Sequence, residues 1–187
     1  MKWDSRVVVG VTGASGTVLA MRLLRALDGY ERHLIVSEGA KRVMRAETEF
    51  SMDDFKKVSE YQYDDSDLAA PVSSGSFRFR SFAVIPCSNT TLARIASGMA
   101  DTLITRVAAV SLKERRRMVL VPREMPLSTI YIDNMLKVSQ NGAIVAPAMP
   151  GYYTKPKTVD DMINFVVSRV LDLMGIDNEI SGRWMDR

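Results

Sequence analysis

Cysteine and histidine are almost missing from this chain of 187 residues, which holds one of each, Cys87 and His33. A lone cysteine excludes an internal disulfide and points to a reducing compartment, the cytoplasm. One cysteine and one histidine also fall short of the three or four ligands that a zinc site takes, so no metal is expected. No apolar run approaches the roughly 20 residues of a membrane-spanning helix. No signal-peptide pattern precedes the first apolar run, since Met1-Lys2-Trp3-Asp4 leads straight into it. There is no Gly-Lys-Ser/Thr and hence no P-loop. Charge of one sign is scarce as well: a net +3 is a mild excess that does not call for nucleic acid. The basic cluster Lys113-Glu114-Arg115-Arg116-Arg117 lacks the interleaved aromatics that a single-strand binder would want. Repeats and low-complexity segments are absent too, and the length suits one domain over residues 1–187.

What the chain does have is concentrated in Arg6 to Leu27, RVVVGVTGASGTVLAMRLLRAL. A β-branched run, Val7-Val8-Val9, leads into Gly10, Gly13 and Gly16, and then Leu19, Leu23, Leu24 and Leu27 follow at helical spacing. Strand, glycine turn and helix make the first half of a βαβ unit. Glycines let a ligand approach the backbone, N–H groups at the helix start attract phosphate, and Ser15 adds a hydroxyl there. The motif by itself leaves a second reading open, a tight turn with no ligand.

Further along, Arg32–Ser37 reads as a second strand and Glu38–Thr48 as a helix with Glu47 near its end. Residues 51–67 read as a short helix over Met52–Val58 followed by surface chain. Ser73-Ser74-Gly75-Ser76 is a flexible, hydroxyl-rich turn. Phe82–Pro86 is a third strand, ending in Cys87-Ser88-Asn89-Thr90-Thr91 before a helix. Asp101 is the expected cap of the next helix, which runs to the basic cluster. Met118–Val121 is a fourth strand ending at Arg123-Glu124, Ser128–Val138 a helix, and Ala143–Ala146 a fifth strand. Thr158 caps a long helix that Gly175 stops, and the tail carries Trp184.

Strands alternating with helices predict an α/β fold, a doubly wound, Rossmann-like three-layer sandwich around a mostly parallel sheet. Right-handed crossovers bring the strand-end loops to one edge, gathering Gly13, Ala14, Ser15, Ser37, Ser88 to Thr91, Arg123, Glu124 and Tyr153. His33, at the start of its strand, lies far from that edge, which argues against Ser-His-Asp or Cys-His catalysis. Cys87 reads as a small buried residue beside a ligand. The TGASG turn also resembles the NAD-binding turn of short-chain dehydrogenases, whose Tyr-x-x-x-Lys pair shares a helical face. Tyr153 and Lys157 have that spacing, but Pro156 between them breaks such a helix. Arg106 and Lys113, two helical turns apart, share a face. With Arg123 and Arg169 they are either cations around a phosphorylated ligand or scattered surface charges, and spacing leaves both open.

The order and length of several segments carry more. GVTGASG (10–16), Ser37, AET with Glu47, SSGS (73–76), PCS (86–88), SLKERRRMVLVPRE (111–124), NML (134–136), PGYYTKP (150–156) and RW (183–184) resemble the flavin prenyltransferase family. These are the UbiX-like partners of UbiD-type decarboxylases, and the resemblance runs nearly end to end. The central part is most similar to versions paired with hydroxyarylic acid decarboxylases. One departure is Ala109, where the family has an aspartate; altered local hydrogen bonding is expected there, not loss of activity.

The resemblance implies that reduced FMN is alkylated by dimethylallyl phosphate at N5 and then C6, giving the prenylated FMN that a UbiD-type decarboxylase uses. No metal takes part, and fixed cations do the electrostatic work on the leaving phosphate. Gly13, Ala14 and Ser15 are implied to bind FMN, with Ser15 near the reactive edge, and Ser37 and Ser88, Asn89, Thr90 and Thr91 to hold its phosphate and ribityl chain. Arg123 spans flavin and donor phosphate. Tyr153 and Arg169 bind the donor, assisted by Arg106 and Lys113; Glu47 and Glu124 handle protons; Trp184 closes over the prenyl group. Family members form dodecamers with sites at subunit interfaces, so a neighbour is implied to supply some of these residues. Two alternatives stay open. One is a flavin-dependent cysteine decarboxylase, with a similar Ser-Asn-Thr segment at 88–90 but a catalytic histidine that His33 does not match. The other is a non-catalytic FMN-binding subunit of an aromatic acid decarboxylase.

Overall fold

The computed structural model describes residues 2–185. A short turn of 3-10 helix leads into β1 (Arg6–Val11), followed by α1 (Thr17–Ala26), β2 (Glu31–Val36), α2 (Glu38–Glu47), α3 (Met52–Lys57) and β3 (Tyr61–Asp64). The second half comprises β4 (Ser81–Cys87), α4 (Asn89–Ala96), α5 (Leu103–Lys113), β5 (Arg117–Pro122), α6 (Thr129–Gln140), β6 (Ile144–Val145) and α7 (Val159–Met174). All strand pairs are parallel, in the order β3-β2-β1-β4-β5-β6. The order reverses between β1 and β4, the crevice where ligands settle in open α/β sheets.

Period-two alternation divides the core. Val7, Val9 and Val11 pack with α1, α2, α3 and α7, whereas Val8, Phe82 and Val84 pack with α4, α5 and α6. The central strands are apolar on both faces because helices cover both. Arg22 of α1 reaches Asn164 and, at 2.8 Å, Asp160, which ties α7 alongside α1. No helix among the described residues is long and apolar enough to cross a membrane.

Three expectations need correction. The sheet has a sixth strand, β3, where the sequence suggested only surface chain. Its YQYD is short, polar and mostly exposed, so it lacks the apolar alternation that marks a half-buried strand. Thr102, not Asp101, caps α5, because its hydroxyl accepts from the Thr105 N–H in a reciprocal capping box. The last strand is shorter than Ala143–Ala146, and only Ile144–Val145 pair with β5.

β3 also explains His33. The imidazole is 2% exposed and stacks on Tyr61 at 4.7 Å and Tyr63 at 5.9 Å between centroids. Its Nδ1 meets the Tyr63 hydroxyl and its Nε2 meets Glu31 Oε1, both at 2.9 Å. Burial holds its pKa below the ordinary 6.5, outweighing the pull of the Glu31 carboxylate. The unfolded chain therefore takes up the proton first. Stability should be full above the unfolded imidazole's ordinary 6.5 and fall as pH drops below it. Urea midpoints over that window should show this slope in the parent and a flatter profile in His33→Gln. Glu60, held at about 2 by Arg32, titrates well below this window.

Candidate functional site

The carboxyl ends of β2 and β4 pass into helix starts through a single capping residue each, and that of β1 does so through the glycine turn 12–16. A Cβ on Gly13 would fall 3.1 Å from the Gly39 backbone, so the β1–α1 turn lies backbone to backbone on the start of α2. Gly16, at φ +106°, caps α1 with no side chain of its own. Glu47 ties the turn down from across the site: the Gly16 N–H donates to its Oε2 at 2.9 Å. Ser37 caps α2 by accepting from the Ala40 N–H at 3.1 Å, and Ser88 caps α4 by accepting from the Thr91 N–H at 3.3 Å. Asn89 and Thr90 are exposed beside it. The helix starts therefore present backbone N–H groups and positive dipole ends around one crevice, an arrangement suited to phosphate.

Sequence reasoning passed over Thr12, which stitches two of these turns. Its hydroxyl donates to the Pro86 carbonyl at 2.8 Å and accepts from the Ser88 N–H at 2.7 Å. A polar residue directly before the glycine turn was the available signal. Cys87 is fully buried, and burial pushes its thiol up to about 12, which disqualifies it as a nucleophile. Arg123 and Glu124 are exposed at the end of β5 and line a cleft of about 410 Å³ with Met125 and Met149. On α6 the Tyr131 hydroxyl is buried with no hydrogen-bond partner.

Tyr153, Arg169 and Trp184 form a second group. The Tyr153 ring stands edge-on to Phe165 at 5.5 Å and to Trp184 at 5.2 Å. Arg169 donates to Asp172 Oδ2 at 2.7 Å on the same helix. Arg183 reaches the same carboxylate, and burial, which would raise the Asp172 pKa, is overcome by its arginine and asparagine partners. Tyr153 and Trp184 border a cleft of about 890 Å³ between residues 153–157 and the tail, and together with Arg169 they line a smaller one of about 140 Å³.

Arg106 and Lys113 do not join either group within one chain. They do share a helical face, but it turns toward the 73–76 loop. Arg106 Nε donates to the Ser73 carbonyl at 3.2 Å, and Lys113 pairs with Glu114 at 2.8 Å, against Gly75. The reason is the sheet itself: α5 packs on one face and α7, with Arg169, on the other. Lys113 moreover closes α5 just before β5 begins, at the edge away from the glycine turn. The expected convergence of Arg106, Lys113, Arg123 and Arg169 is therefore not made by a single protomer.

A parallel sheet with its switch point ringed by helix starts is a nucleotide-type site, and residues 1–171 match the family model Flavoprotein. The chain is 55% identical to the flavin prenyltransferase UbiX of Thermoplasma acidophilum over 96% of its own length and 99% of that protein's. Among solved structures it is similar to AnUbiX (PadA1) in complex with FMN and dimethylallyl pyrophosphate, with TM-score 0.94, 44% identity and 97% of each chain covered. It is also similar to a dodecameric FMN-dependent UbiX-like decarboxylase from Escherichia coli O157:H7, with TM-score 0.93, 46% identity, and 96% and 99% of the two chains covered. The chain belongs to the flavoprotein family and, within it, to the UbiX flavin prenyltransferases.

Proposed function

We propose that this protein transfers the dimethylallyl group of dimethylallyl phosphate to reduced FMN, without metal, making prenylated FMN. The observation that carries this is the crevice where the glycine turn, Ser37 and Ser88 meet, with Glu47 bonded to Gly16. The Gly13–Gly39 contact leaves no side chain there, and the N–H groups around it suit a flavin phosphate. When bound, reduced FMN supplies the nucleophilic N5 and C6 positions.

In this reading Gly13, Ala14 and Ser15 border the flavin, and Ser37 and Ser88 to Thr91 hold its phosphate and ribityl chain. Arg123 spans flavin and donor. Tyr153 and Arg169 take the donor phosphate, and Trp184 covers the allylic end. Glu47, with Glu124 as the second carboxylate, moves the protons. Arg106 and Lys113 reach the site from a neighbouring subunit. A dodecamer is the assembly proposed, in line with the E. coli relative. The exposed apolar side chains Ile130, Leu136, Met125 and Met149 are surface that such an assembly would cover. Fixed cations neutralise the leaving phosphate in place of magnesium. The product serves a UbiD-type decarboxylase in the cytoplasm.

The protein should release inorganic phosphate from dimethylallyl phosphate in the presence of EDTA only when reduced FMN is present. Release without flavin would count against the proposal, and a parallel arm with the pyrophosphate defines the donor. Ser15→Tyr should block the glycine turn and lose FMN binding, read by flavin fluorescence. Normal binding by that variant would move the flavin away from the turn.

A further inference from the structure

Tyr153, Arg169 and Trp184 come from three separate parts of the chain: the loop after β6, the middle of α7 and the tail. Their meeting depends on the tail folding back along α7. Asn178 begins the return, its Nδ2 donating to the Ser168 carbonyl at 3.3 Å and to Asp172 Oδ1 at 3.0 Å. Arg183 completes it with a two-toothed bond, Nη1 to Asp172 Oδ2 at 3.0 Å and Nη2 to Asp172 Oδ1 at 2.9 Å. Arg169 adds a bond at 2.7 Å to Oδ2. One carboxylate, its side chain 18% exposed, thus holds two guanidinium groups and the first turn of the tail. Simple exposed pairs contribute little, but a fork geometry on a largely buried carboxylate fixes orientation as well as distance.

We propose that Asp172 is a positioning residue for the donor site: it holds Arg183, and through it seats Trp184 on Tyr153, while restraining Arg169. This rests on the reading of Tyr153, Arg169 and Trp184 as the donor-binding group. Asp172 itself touches neither flavin nor donor. Removing its charge frees Arg169 to swing and lets the tail leave Tyr153.

The test uses the full chain in a Trp3→Phe background, which leaves Trp184 as the sole tryptophan. In Asp172→Asn, and independently in Arg183→Gln, the anisotropy decay of Trp184 without substrate should gain a fast component. The KM for dimethylallyl phosphate should rise roughly tenfold or more while kcat at saturating donor and the FMN Kd stay within about threefold, a split that lost uniform binding produces and partial unfolding does not. Asp172→Glu, which keeps the charge, should recover most of the parent anisotropy. Unchanged anisotropy in both variants overturns the proposal, as does changed anisotropy with an unchanged KM, or a fall in FMN affinity parallel to the fall in kcat. Should Asp172→Asn not fold, Arg183→Gln decides alone. A parent that consumes no donor would refute the prenyltransferase reading, and the anisotropy would still report whether Asp172 seats the tail.

Discussion

Glu47→Gln is expected to fold, bind FMN and bind donor, yet lower the yield of prenylated FMN by about 100-fold or more, the scale of a lost general acid or base. The geometry makes this substitution unusually clean. Glu47 Oε2 accepts from the Gly16 N–H at 2.9 Å, and a glutamine carbonyl can accept the same bond. The glycine turn therefore keeps this contact, while the capacity to take and return a proton is lost. Ring closure on the flavin requires a proton to leave and another to be handled near N5, so the variant should stall short of the finished product. Glu49→Gln is the control: Glu49 is exposed beyond the end of α2 and should behave as the parent does. Equal yields from Glu47→Gln and parent would remove Glu47 from the chemistry, and loss in Glu49→Gln alone would assign it to the other carboxylate.

The second large effect concerns the cations. Removing one donor to a developing phosphate in a desolvated site costs about 2.7–4 kcal/mol, or roughly 10²–10³ in rate. Arg169→Ala should raise the requirement for dimethylallyl phosphate steeply with FMN still bound, and Lys113→Ala should be similarly impaired. The two residues flank opposite faces of the sheet in one protomer, so they can serve the same phosphate only across a subunit boundary. Mixed oligomers refolded from both variants should then regain a measurable share of parental activity, because some boundaries carry Arg169 from one chain and Lys113 from the next. Mixtures no better than the separate variants would place both residues in the same protomer's site or remove one of them from it.

The first strand, glycine turn and helix were legible because three local signals agreed: β-branched residues, glycines at the turn and leucines at helical spacing. The carboxyl-end positions of Ser37 and Ser88 followed from topology, and both serve as helix caps. β3 was not legible, because a short polar edge strand is recognised by its pairing with β2 and not by its own pattern. The Glu47–Gly16 and Asp172–Arg183 contacts join residues 31 and 11 positions apart across loops, and no helical or strand periodicity encodes them. Arg106 and Lys113 were placed correctly on one helical face, but which way that face turned depended on which side of the sheet α5 packs.

The most direct test of the central claim is the mass of the flavin. The protein is incubated anaerobically with FMN, dithionite, EDTA and dimethylallyl phosphate, then denatured, and the released flavin is weighed by mass spectrometry. The predicted result is a flavin heavier than FMN by one five-carbon isoprene unit, formed only with donor present. Recovery of unmodified FMN from protein that binds it well would contradict prenyl transfer and make the chain a flavin carrier.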